Sequence, residues 1–130
     1  MKDIYKIGDT KLYSHVVTQA DVAEFESGVV HPFYATFALG RDAEWSGRLF
    51  VLDMLDNDEE GIGTFLNVSH ASPALVGQTV EFLATIIEKD RAKMACSFEA
   101  RVGERLIATG TTGQMILKKA QVASIEEKAR

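Results

Sequence analysis

Cysteine is nearly absent from this chain. Cys96 is the only one in 130 residues, which excludes an intramolecular disulfide and any cysteine-rich metal site. A lone cysteine reads as a small buried apolar side chain. Three well-separated histidines, His15, His31 and His70, form no ligand motif, so neither a metal nor another cofactor is expected. No apolar run approaches the roughly 18 residues that span a bilayer. The opening MKDIYKIGDTKLYSH has no continuous apolar stretch of the kind a secretory signal needs, so no membrane association and a reducing cytoplasm are expected. A basic excess is missing too, with 14 Lys and Arg against 19 Asp and Glu. Five of the acids fall in one run, Asp53 to Glu60 (DMLDNDEE), and without it 14 face 14. A nucleic-acid partner is therefore not expected, since its binding face would need a positive stripe. What is present is 46% hydrophobic and 25% charged residues, the balance of a globular protein. The length predicts a single domain over residues 1–130.

The pattern along the chain predicts an α+β fold. A short strand is expected from Lys11 to Val17, and Asp21 to Glu26 reads as a helical turn capped by Gln19 or Asp21. From about Tyr34 to Leu55 runs the longest helical stretch, whose apolar residues are spread around nearly the whole circumference. Such a helix is expected to be buried on most sides. Gly40 and Gly47 weaken it by roughly 1 kcal/mol each, and such small residues permit close approach of another backbone. After Gly61 the period becomes two. Ile62, Thr64, Leu66, Val68 and His70 are expected on one face, and Gly63, Phe65, Asn67 and Ser69 on the other. Further strands are expected at Gln78–Glu88, Ala92–Val102 and Arg105–Lys118, the last two joined by a hairpin at Val102-Gly103-Glu104. Gln121 to Arg130 reads as a polar helix. A helix needing cover on most sides and a sheet with one face to bury are satisfied together if the sheet curls around the helix.

Four residues carry groups able to act chemically: a carboxylate at Glu44, a hydroxyl at Thr36, a proton acceptor and donor at His70, and an unobstructed backbone N–H at Gly63. Each has a plainer reading. Glu44 has Arg48 at i+4 and Arg41 at i−3 for a surface ion pair, Thr36 can cap a helix, and His70 can be a satisfied strand-end histidine. On an ideal helix Glu44 shares a column with Phe37, Val51 and Leu55, a setting that raises a carboxylate pKa unless it is paired. Thr36 and Glu44 are separated by about 12 Å of helix rise. They meet one reacting atom only if Thr36 lies in a folded-back loop or if the two come from different subunits.

The segments FYATFALGRDAEW (Phe33–Trp45) and GIGTFLNVSHASPALVGQTV (Gly61–Val80) resemble the fluoroacetyl-CoA thioesterase type of hot-dog acyl-CoA thioesterase. The resemblance covers roughly Val30 to Leu117. It implies a hot-dog fold with an antiparallel sheet wrapped around a long central helix, an acyl-CoA substrate, and a homodimer or larger homo-oligomer with sites at the interface. It assigns Thr36, Glu44 and His70 to catalysis, Glu44 as nucleophile or general base, with Gly63 N–H at the oxyanion. Where the family carries Arg in its last strand this chain has Gln114, which is expected to line the oxyanion or substrate site without the charge-assisted contact. The phenylalanine-rich segment before the catalytic Thr reads SGVVHP here (Ser27–Pro32), so fluoroacetyl specificity does not carry over. A non-catalytic acyl-CoA or lipid binder is an alternative. An enoyl-CoA hydratase is disfavoured because no Asp-x-x-x-x-His occurs. The CoA phosphates have seven candidate partners, among them Arg41, Arg48, Lys89 and Lys118. The acidic run is expected to be a solvated turn away from the mouth that admits them.

Overall fold

A computed structural model describes residues 1–130. Its elements are β1 (Thr10–Val16), one 3-10 turn (Gln19–Asp21), β2 (Val22–Phe25), β3 (Gly28–Tyr34), α1 (Thr36–Met54), β4 (Glu59–His70), β5 (Thr79–Asp90), β6 (Lys93–Val102), β7 (Arg105–Lys118) and α2 (Lys119–Lys128). Five strands form one sheet in the order β1-β5-β6-β7-β4, antiparallel throughout, and β2 pairs with β3 in a separate hairpin.

The sheet buries its inner face on α1. Val80, Phe82, Ala84 and Ile86 of β5 alternate inward, as do Met94, Cys96, Phe98 and Ala100 of β6. They pack as two clusters. One gathers Phe82, Phe98 and Ile107 under the first half of α1, the other Ile86, Cys96 and Ile116 under Phe50, Val51 and Met54. Burying each large side chain contributes about 1.5–3 kcal/mol relative to leaving it in water. The helix sits close because Gly47 has no Cβ: one there would lie 3.1 Å from Thr112 Cγ2. This is the hot-dog arrangement.

Two expectations change. Asp21–Glu26 is not a helical turn: the 3-10 turn ends at Asp21, and Val22–Phe25 is a strand. The cap position is Thr18, whose N–H donates to Asp21 Oδ2 at 2.8 Å, so the acid pins the turn and releases the chain into β2. The helix α1 is buried over most of its circumference, as expected: Ala38, Leu39, Ala43, Ser46, Gly47 and Phe50 are buried, and one stripe with Phe37, Trp45 and Leu52 is 40 to 57% exposed.

The second change concerns β4. Gly63 pairs with Gln114, but Phe65 pairs with the next residue back, Gly113, so Thr64 is a bulge. One extra residue reverses the alternation beyond it. Gly63 therefore shares the helix-facing side with Leu66 and Val68, not with Phe65: a Cβ at Gly63 would meet Glu44, and one at Gly40 would meet Leu66 and Val68.

Candidate active site

Thr36 is the first residue of α1 and does not cap it. The cap position is Ala35, with no side-chain bond, and the Thr36 hydroxyl turns instead to the end of β4. Thr36 Oγ1 and His70 Nδ1 are hydrogen-bonded at 3.1 Å. His70 Nε2 is buried and has no partner. An imidazole with one nitrogen held and the other unpaired is oriented for a reacting atom. Burial lowers the His70 pKa from its ordinary 6.5; the Ser72 backbone opposes this, and the His31 imidazole adds to it. Thr36 and His70 line a cavity of about 270 Å³ with His31, Phe33, Tyr34 and Ser72.

Glu44 lies two turns along α1, at the border between its buried and exposed sides. The surface ion pair does not form. Arg48 donates to Glu60 Oε1 at 2.7 Å and to the Gly61 carbonyl, and Arg41 donates to Asp21 and Asp42. The Glu44 carboxylate instead rests against Gly63, where any Cβ would overlap Oε1. Gln114 is 4% exposed and its amide donates to the Glu44 backbone carbonyl at 3.4 Å. It thus backs the helix at Glu44, and it also lines a second cavity, of about 360 Å³, beside the bulge residue Thr64. Within one chain the expected residues form two groups, Thr36 with His70 and Glu44 with Gly63 and Gln114. The helix rise of about 12 Å keeps them apart.

A family model for fluoroacetyl-CoA-specific thioesterases matches residues 17–120. The chain belongs to that family. This thioesterase shares 32% identity with a hypothetical Thermus thermophilus protein described as a thioesterase superfamily member, over 95% of this chain and 92% of that one, with a TM-score of 0.90. The fluoroacetyl-CoA thioesterase FlK is 19% identical over 98% of this chain and 99% of its own, with a TM-score of 0.89. A variant of FlK in complex with fluoroacetate and CoA is 19% identical over 91% and 99%, with a TM-score of 0.83. No curated protein matches the sequence. The protein is a thioester hydrolase of the acyl-CoA class.

Several cations considered for the thioesterase's CoA phosphates are already engaged. Arg41 and Arg48 are bound as above, Lys89 pairs with Asp3, and Lys118 pairs with Asp58 at 3.1 Å and Glu59 at 3.7 Å. The acidic run is correspondingly not a merely solvated turn. Lys11 lies 2.9 Å from Asp53, Lys2 lies 3.6 Å from Asp56, the N-terminal amine contacts Asp56 and Glu59, and Arg48 holds Glu60. Its acids tie the N-terminal segment to the exit of α1, about 27 Å of helix from Thr36.

One polar group went unread in the sequence. Asp21, Asp42, His15, Tyr34 and Arg41 form a network beneath the first turns of α1. His15 Nε2 is 2.8 Å from Asp21 Oδ2, Arg41 donates to Asp21 Oδ1 at 2.9 Å, and Tyr34 donates to Asp42. Burial by itself raises the Asp21 carboxyl, but bonds from the Thr18 N–H, Arg41, His15 and the Thr18 hydroxyl outweigh it and hold the group well below the carboxylate range. The signal was available: Asp42 falls on the helix face shared by Leu39, Ala43 and Ser46.

Proposed function

We propose that this chain, as one hot-dog domain over 1–130, hydrolyses an acyl-CoA at a site completed between two copies. The observation that carries this reading is the Thr36–His70 hydrogen bond with the unpartnered Nε2 in a cavity, while the only matching carboxylate lies about 12 Å along the same helix. A twofold axis can bring Glu44 of one copy to Thr36 and His70 of another. β4 supports such pairing, because it is an edge strand of the sheet and exposes Phe65 at 46% and Leu66 at 40%. Long unpaired apolar edges are ordinarily covered.

In this reading Glu44 attacks the thioester carbon or takes the proton of the attacking water, and the Gly63 N–H receives the oxyanion. The neutral His70 accepts through Nε2 the proton released by the water, directly or by way of Glu44, and passes it to the departing CoA thiolate, with Thr36 fixing its ring. Gln114 supports Glu44 from behind. The acyl group is not fluoroacetyl, since Val29 and Val30 occupy the segment before Thr36 where phenylalanines are expected. We take the setting as the cytoplasm, where a free thiol such as that of the buried Cys96 is ordinary. A thiol-release screen across short, branched, aromatic and long acyl-CoAs tests the reading. Hydrolysis that disappears in Glu44→Ala supports it; thermal stabilisation by CoA esters without thiol release in any of them sinks it and leaves a binder.

A further inference from the structure

His31 stands in the cavity with Thr36 and His70 and takes no part in the hydrolysis described above. It is half-buried on β3, and Pro32 after it restricts its backbone to extended conformations. The Phe33 N–H donates to its Nδ1 at 3.3 Å, and its ring packs 5.1 Å from that of Phe33. With Nδ1 accepting, the proton of the neutral ring sits on Nε2, so His31 offers a donor rather than an acceptor. The cavity lining contains no Asp or Glu. Behind it, the Arg105 guanidinium donates to Ser72 Oγ at 2.9 Å and to the Pro73 carbonyl. Two imidazoles, a hydroxyl and a guanidinium one residue away make a rim of donors with no anion of its own. The Arg105 guanidinium and the Ser72 hydroxyl, which donates to the Leu106 carbonyl, are already paired, so an alkyl chain would leave the His31 Nε2–H without an acceptor, which is costly once water is displaced.

We propose that His31 reads the acyl group, its Nε2–H hydrogen-bonding a carboxylate at the far end of a short chain, so that the preferred thioesters are CoA monoesters of short dicarboxylic acids. This rests on the thioesterase site proposed above and names the acyl class it takes. A bond from a positioned donor to a charged acceptor changes discrimination by about tenfold or more.

The test compares succinyl-CoA with butyryl-CoA, alike in chain length and differing in the terminal carboxylate. In the wild type kcat/KM is higher for succinyl-CoA; in His31→Phe the ratio falls about tenfold, and in His31→Gln, which keeps an N–H, part of it returns. A wild type that prefers butyryl-CoA, or a ratio unmoved in His31→Phe, overturns the proposal. Dissociation constants for both esters on Glu44→Gln, with and without His31→Phe, separate this from a failure of the hydrolytic reading. If no ester is cleaved by the wild type, hydrolysis fails, while a His31-dependent preference for succinyl-CoA in binding still sustains the selection and its absence removes it.

Discussion

Glu44 and Gly63 are shaped to each other. The carboxylate of the α1 residue occupies the space that any side chain at the β4 residue would fill. Glycine is therefore required here by the neighbour's carboxylate, in addition to any use of its N–H. Gly63→Ala is expected to cost about 1–3 kcal/mol by overpacking, and a large part of that cost should vanish when Glu44 is also Ala. Urea unfolding of the two single variants and the double variant gives the coupling; purely additive effects would show that the two residues do not meet.

Mixed oligomers test the origin of the site. Thr36→Ala and Glu44→Ala each lose most turnover, by about 10²-fold or more. If one site draws Thr36 from one copy and Glu44 from another, refolding the two inactive variants together restores about a quarter of wild-type activity, since half the dimers are mixed and each has one intact site. No recovery in mixtures shown to exchange subunits means that each site is built from one chain.

The lowered pKa of His70 has a defined sign. Its neutral ring survives below the ordinary 6.5, so the acid limb of kcat/KM should fall below that value. Between the folded pKa and 6.5 the unfolded chain binds more protons, so this residue makes stability fall as pH drops through that window. His70→Gln should remove both effects, as read by a pH–rate profile and by unfolding at pH 5 and 7.

Asp21 acts in the same sense at lower pH. Its carboxylate contributes stability that is fully present above the ordinary 3.8 and is lost as pH falls toward its depressed folded value. Asp21→Asn removes the charge that Arg41 and His15 share and is expected to cost about 3 kcal/mol. A change under about 0.5 kcal/mol in chemical unfolding would mean that Arg41, which is itself largely exposed, finds an equal partner in Asp42.

Much of the architecture was legible because it depends on periodicity. The long helix ends within two residues of the expected positions, and the third and fourth long strands and their hairpin fall where period two and Gly103 place them. The β2–β3 hairpin was not legible. Val22 and Ala23 are adjacent and both buried, breaking alternation, and their register is irregular. The bulge at Thr64 was hidden for a related reason: a pattern of alternating residues does not reveal the place where one is skipped.

The sequence by itself determined the candidate groups and the fold that holds them, since residue types, spacing and hydrophobic period are local properties of the chain. It also determined that Thr36 and Glu44 lie too far apart on a straight helix to share one carbon. Only the tertiary structure decided which groups meet. Thr36 pairs with His70, and Glu44 rejects its two helical arginines and settles on Gly63, because the packing of α1 on a bulged edge strand sets those distances. The acidic run that carries the chain's whole negative excess proved to be a set of ion pairs, since its cationic partners come from Met1, Lys2, Lys11, Arg48 and Lys118, most of them remote in sequence and adjacent only once the chain is folded.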